Sequence, residues 1–252
     1  MKEYKTLTCE IKDGVAVVTM NRPPLNLLTY TLLQDLWNVI DELDADKDMR
    51  AVVLTGEGRA FCAGMEVGSS DMAPRGYGQL VMMHLDSARL PIIAAINGWC
   101  LGGGMELALA CDIRLMSEAA KIGMVEATIG YIPAWGGNSR LPWLIGEANA
   151  KKLFYTAEKI TAEKAKELGI VQDIYPAEDL LPKAKELAAQ IAQNAPRSIS
   201  SFKQVCFKFR ESLFGQAAIE ETKYSVYCAT ANDAKEGARA LKEKRKPVFK
   251  NE

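Results

Sequence analysis

The chain has 252 residues, 48% of them hydrophobic and 25% charged, which is the balance of a folded globular protein rather than a disordered one. Its 31 Lys+Arg against 32 Asp+Glu leave a formal charge of −1, with no broad electrostatic footprint for nucleic acid or an anionic membrane. One histidine, His84, excludes a multi-histidine metal centre, leaves any triad a single imidazole to be built around, and is read as an ordinary helix residue. No GxSxG elbow is present.

Six cysteines (Cys9, Cys62, Cys100, Cys111, Cys206 and Cys228) show no paired short spacing, so neither CxxC redox chemistry nor a zinc site is indicated. Most sit in apolar runs, where a reduced thiol packs as a small hydrophobe, and a cytoplasmic setting is expected. The first five residues lack the apolar region of a signal peptide. The longest apolar stretch, around 91–111, is interrupted by Asn97, three glycines and Glu106, so no membrane span is expected.

In chain order, Val15-Ala16-Val17-Val18-Thr19-Met20 predicts a strand stopped by Asn21-Arg22-Pro23-Pro24. Leu33, Leu36, Trp37, Ile40 and Leu43 recur at helical spacing, with Thr29 or Thr31 as the cap. Ala51–Thr55 reads as a buried strand ended by Gly56-Glu57-Gly58, followed by a loop holding Phe61-Cys62-Ala63-Gly64. A helix around 78–88 and the apolar strand Pro91–Ile96 come next. Continuous apolar strands separated by helices imply an α/β fold whose sheet is covered on both faces. From about 147 helical patterns dominate, at 147–156, 161–168, 179–194 and most of 198–242, with a short strand between Ile170 and Tyr175. The organisation expected is a core over 1–196 with an integrated helical extension over 197–252.

Leu101-Gly102-Gly103-Gly104-Met105-Glu106 follows directly on a predicted strand. Such a turn brings backbone close to a ligand and exposes unpaired N–H groups at the positive end of a helix, although tight packing alone would also use it. Leu107 stands where a dinucleotide fingerprint needs its third glycine. Glu106 lies three residues after Gly103, about 4.5 Å further along the same helix face, in apolar surroundings. It either faces a substrate or pairs with a cation. Glu126, in Gly123-Met124-Val125-Glu126-Ala127, precedes Tyr131-Ile132-Pro133-Ala134-Trp135-Gly136-Gly137, a stretch suited to lining a pocket. Phe61-Cys62-Ala63-Gly64-Met65-Glu66 would present a second backbone N–H, with Cys62 read as a packed thiol rather than a nucleophile.

In their order and spacing these segments resemble the crotonase, or enoyl-CoA hydratase/isomerase, family from Val15–Pro24 through to Glu236–Lys250. The resemblance implies a spiral of repeated ββα units with a helical C-terminal trimerisation region, assembled as a homotrimer or as a homohexamer of paired trimers. It implies an acyl-CoA thioester substrate, with coenzyme A as part of the substrate and no cofactor or metal. Carried over by position, the backbone N–H groups of Met65 and Gly103 become an oxyanion hole. Glu106 and Glu126 become the two catalytic glutamates, and Glu66, Val67, Gly68, Ala134, Trp135 and Lys244 contact the CoA or acyl part. For Lys244, in Glu243-Lys244-Arg245-Lys246, a solvated helix end is the alternative. The chain departs from the family pattern at Met65-Glu66, where Ala-Asp is commoner. Val125 stands where proline commonly does, and Ala134-Trp135 replaces Gly-Ala. The activity implied is enoyl-CoA hydration. An enoyl-CoA isomerase, a hydrolase or decarboxylase of the same fold, or an RNA-binding or structural relative are the alternatives, and the balanced charge speaks against RNA.

Overall fold

A computed structural model describes residues 3–66 and 73–250. β1 (Leu7–Lys12) and β2 (Val15–Met20) form an antiparallel hairpin across Asp13-Gly14. Both turn residues have positive φ, 52° and 76°, which a two-residue type I′ turn requires. The sequence reading missed β1 because only Leu7 is buried; Glu10 and Lys12 belong to an exposed sheet edge. α1 (Tyr30–Ala45) is capped by Thr29, whose hydroxyl accepts the Leu32 N–H at 3.3 Å.

A repeating unit then runs through the chain. β3 (Ala51–Gly56) and β4 (Ala60–Cys62) lead to α2 (Ala73–Ser87). β5 (Ile92–Ile96) and β6 (Trp99–Leu101) lead to α3 (Gly103–Ala110). β7 (Ile113–Ser117) and β8 (Lys121–Gly123) lead through a 3₁₀ turn at Glu126–Ile129 to α4 (Gly137–Ile145). In each unit the first strand joins a six-stranded sheet and the second a four-stranded one, which is the ββα spiral expected. α5 (Glu147–Thr156), β9 (Ile160–Thr161), α6 (Ala162–Glu167), β10 (Asp173–Tyr175), α7 (Ala177–Ala192), α8 (Pro196–Thr230) and α9 (Asn232–Lys242) complete the chain. The large sheet has the order β1-β2-β3-β5-β7-β10 and is parallel beyond the first hairpin. The small sheet, β4-β6-β8-β9, ends in an antiparallel pair.

Alternate residues of the large sheet feed two cores. Val18, Val52, Leu54, Ile92 and Ala94 face α1, α2 and α3, while Val17, Val53, Ile93 and Leu115 meet Leu180, Ala184 and Ala188 of α7. Burial on both faces is why these strands read as continuous apolar runs. The helical stretch expected over 198–242 is two helices, because Ala231 has extended backbone (φ −68°, ψ 153°) between α8 and α9. Pro196 opens α8, at a position where its missing N–H costs nothing. α8 is fastened to the body by Lys203, whose buried ammonium donates to Leu85 O, Leu90 O and Asp112 Oδ2.

Candidate active site

The ends of the second strands and the helices after them surround a cavity of about 620 Å³ whose walls include Met65, Glu66, Gly103, Glu106, Glu126 and Trp135. Two backbone segments meet at its edge. After β4, Met65 forms an isolated parallel bridge with Leu28, made by Leu28 N–H donating to Gly64 O (2.9 Å) and Glu66 N–H donating to Leu28 O (3.2 Å). That pattern leaves the Met65 N–H on the opposite edge. Gly103 is the first residue of α3, so its N–H has no intrahelical acceptor and adds to the positive end of the helix dipole.

Glycine geometry brings the two segments together. Gly102 caps α3 at φ 53°, ψ −125°, a conformation other residues rarely adopt. A Cβ on Gly104 would lie 2.0 Å from the Cys62 carbonyl, so only glycine lets α3 approach β4 this closely. A Cβ on Gly64 would lie 3.8 Å from Gly103 N, which puts the Gly64-Met65 segment beside the start of α3.

Glu106, one turn into α3, is 3% exposed. Its partners are backbone amides rather than a paired cation: Oε1 accepts the N–H groups of Trp135 (2.7 Å) and Gly137 (2.9 Å). Burial pushes its carboxyl above the ordinary range, opposed by these amides and by the Arg140 guanidinium. Glu126 opens the 3₁₀ turn, and neither of its shielded oxygens has a hydrogen-bond partner among the described residues. Burial first, and then the charge on Glu106, pushes it up to about 8. At neutral pH Glu126 therefore holds its proton, next to a carboxyl that amides and an arginine draw toward the ionised form.

Of the other residues singled out from sequence, Ala134 lines the cavity beside Trp135. The Trp135 ring is buried between two helices that carry glycine where it presses: a Cβ on Gly78 would lie 2.2 Å from its Cε2, and one on Gly103 2.6 Å from its Cζ3. Glu66 accepts from Arg22 at 2.7 Å. Val67 and Gly68 lie outside the described residues. Lys244 is exposed in the turn after α9, off the cavity wall, whereas Leu241 three residues earlier is on it. Cys62 is fully buried and its thiol is pushed up to about 12, in keeping with a packing role. His84 lies in α2, stacked on Trp37 at 4.0 Å and 3.1 Å from Asp41.

Sequence reasoning missed Lys159, Ser225 and Leu241 on the cavity wall and Glu221 just behind it. These are single polar or apolar residues in helical or loop segments with no motif around them, and only the folded path of the chain brings them here.

The family profile described as Enoyl-CoA hydratase/isomerase matches residues 10–252. YngF of Bacillus subtilis, provisionally named an enoyl-CoA hydratase/isomerase, is 41% identical, the match covering 94% of this chain and 95% of that protein. The short-chain-enoyl-CoA hydratase of Clostridium acetobutylicum is 36% identical over 99% of both chains. Among solved structures, an enoyl-CoA hydratase from Bacillus anthracis has a TM-score of 0.79 and 35% identity, covering 98% of this chain and 100% of that one. With the ββα spiral and full-length similarity in agreement, the chain belongs to the enoyl-CoA hydratase/isomerase, or crotonase, family.

Proposed function

We propose that the chain is an enoyl-CoA hydratase, adding water reversibly and with syn geometry to a 2-enoyl-CoA to give a 3-hydroxyacyl-CoA. The observation that carries this reading is the pair Glu106 and Glu126 on one cavity wall beside the amides of Met65 and Gly103. In the proposed reaction Glu106 takes a proton from water as its oxygen bonds to Cβ. Charge moves to the thioester oxygen, between the Met65 and Gly103 N–H groups, and Glu126 delivers the proton that reaches Cα. Donors fixed in advance where charge develops are worth roughly 10²–10³ in rate each. The raised Glu126 carboxyl suits a proton donor, and the amide-held Glu106 suits a base. No cofactor or metal enters this scheme beyond the coenzyme A of the substrate.

Incubating crotonyl-CoA with the protein in ¹⁸O-water is expected to yield 3-hydroxybutyryl-CoA carrying the label, detected by mass spectrometry. Rapid 3-to-2 double-bond migration, with no labelled hydroxyacyl product from any 2-enoyl-CoA tried, would replace hydration by isomerisation.

Trp135 is proposed to limit the acyl group, since its ring fills space between Gly78 and Gly103 at the cavity wall. Trp135→Ala is expected to shift relative kcat/KM toward longer or bulkier enoyl-CoAs, within about 1–3 kcal/mol of discrimination. An unchanged substrate profile would place the ring outside the acyl site.

Assembly as a homotrimer or homohexamer belongs to the same proposal. It is supported by exposed apolar side chains along α8, among them Phe202, Val205, Phe209 and Tyr227. A cytoplasmic setting is supported by six unpaired cysteines, three of them buried. Among the described residues no helix is long and apolar enough to cross a membrane.

A further inference from the structure

Glu221 is a buried carboxylate that the reaction scheme leaves unused. It lies on α8 about five helical turns beyond Lys203, so the two side chains project from the same face of the helix toward the body. An apolar residue would pack this face more cheaply than a carboxylate, which needs partners once it leaves water. Glu221 has such partners in the loop that holds Glu106 and in the first turn of α4. Its Oε2 accepts the Gly136 N–H at 2.9 Å, and the Ser139 hydroxyl lies 3.5 Å from its Oε1.

Three successive amides of this loop are thus divided between two carboxylates. Those of Trp135 and Gly137 donate to Glu106, and the middle one donates to Glu221 from the other side. Gly136 makes the alternation possible with φ 97°, and a Cβ there would lie 1.8 Å from Arg140 Nη1. Arg140 holds the Trp135 carbonyl at 2.9 Å and is itself held by Asp86, which also binds Arg210 of α8. A cavity of about 80 Å³ separates this loop from α8 and includes Glu221, Gly136 and Arg140 in its walls. In this part of the contact hydrogen bonds, rather than close packing, span the gap between loop and helix.

We infer that Glu221 is a positioning residue: by accepting the Gly136 N–H from α8 it fixes the 134–137 loop and, through the neighbouring amides, aims Glu106 at the substrate. This rests on the hydratase reading for its effect on rate, but not for its effect on the loop. Burial and the charge on Glu106 push Glu221 up to about 7; its protonated and ionised forms both keep an acceptor oxygen, so the contact survives the titration.

Three variants separate reach from charge. Glu221→Asp keeps the charge and shortens the arm, Glu221→Gln keeps the arm and an acceptor without the charge, and Glu221→Ala keeps neither. Measured with crotonyl-CoA, the Asp and Ala variants are expected to lose roughly 10- to 100-fold in kcat at unchanged KM, and the Gln variant to stay near wild type. Hydrogen exchange over 134–137, read without substrate, is expected to accelerate in the Asp and Ala variants and not in the Gln variant. Equal losses in all three, or wild-type kcat in the Asp and Ala variants, would overturn the positioning role. Unchanged exchange throughout would overturn the anchoring itself. Should Glu221→Ala fail to fold, the contrast between Asp and Gln still decides. A wild-type protein that hydrates no enoyl-CoA would refute the hydratase reading, while exchange would still report whether Glu221 holds the loop.

Discussion

Glu106→Gln and Glu126→Gln are each expected to lower the turnover of enoyl-CoA hydration by at least about 10²-fold without unfolding the protein. A glutamine at 106 keeps an oxygen that accepts the amides of Trp135 and Gly137, so the loop retains its anchor while the proposed base is lost. At 126 the substitution removes the proton that the proposed reaction delivers to Cα. The two variants differ in a second respect. The folded Glu126 carboxyl titrates near 8 against an ordinary 4.5, so between those values the folded chain holds a proton that the unfolded chain has released. Stability contributed by this group therefore falls as pH rises through that window. Glu126→Gln removes the penalty and should melt above wild type at pH 8 while remaining inactive, the usual exchange of stability for a strained functional group. Wild-type activity should decline as pH climbs through about 8, where the proposed donor loses its proton. Near-wild-type hydration by either variant, or a melting difference that does not grow with pH for Glu126→Gln, would remove the corresponding assignment.

The parts of the fold that were readable from sequence are those whose side chains report burial. Val15–Met20, Ala51–Gly56 and Ile92–Ile96 are buried on both faces and announce themselves as apolar runs. β4, β6 and β8 do not, because three residues are too few for a period to show. α4 was hidden for another reason, since it is capped by Gly136, begins at Gly137 and contains Pro142, all of which read as loop. At the site, Gly103 and Glu106 were readable because one helix carries both at fixed spacing. Glu126 was a weaker signal, marked by its place ahead of the pocket-lining stretch from Tyr131 and given a role by the likeness to a family, since most loop glutamates are solvated. Glu221 was not readable at all: apolar and polar residues are mixed all round α8, and its buried face is defined by the loop it meets rather than by its own pattern.

Gly103→Pro is expected to abolish detectable turnover, and its design exposes what the glycine contributes. Proline is tolerated at the first position of a helix, so α3 need not break when the N–H is removed. A Cβ at 103, however, would come within 2.6 Å of the Trp135 ring, and loss of activity in this variant alone would confound a missing donor with a displaced tryptophan. Gly103→Ala carries the same Cβ and keeps the N–H, so it measures the steric part. Placing both substitutions in a Trp135→Ala background clears the ring, and the remaining difference between them belongs to the donor. That difference is expected to be roughly 10²–10³ in kcat, the usual effect of one oxyanion donor. Met65→Ala should be far milder, because its proposed contribution is a backbone N–H that alanine retains. If proline and alanine at 103 turn over equally once Trp135 is gone, the N–H at the head of α3 carries no oxyanion charge, and the positive end of that helix serves the fold alone.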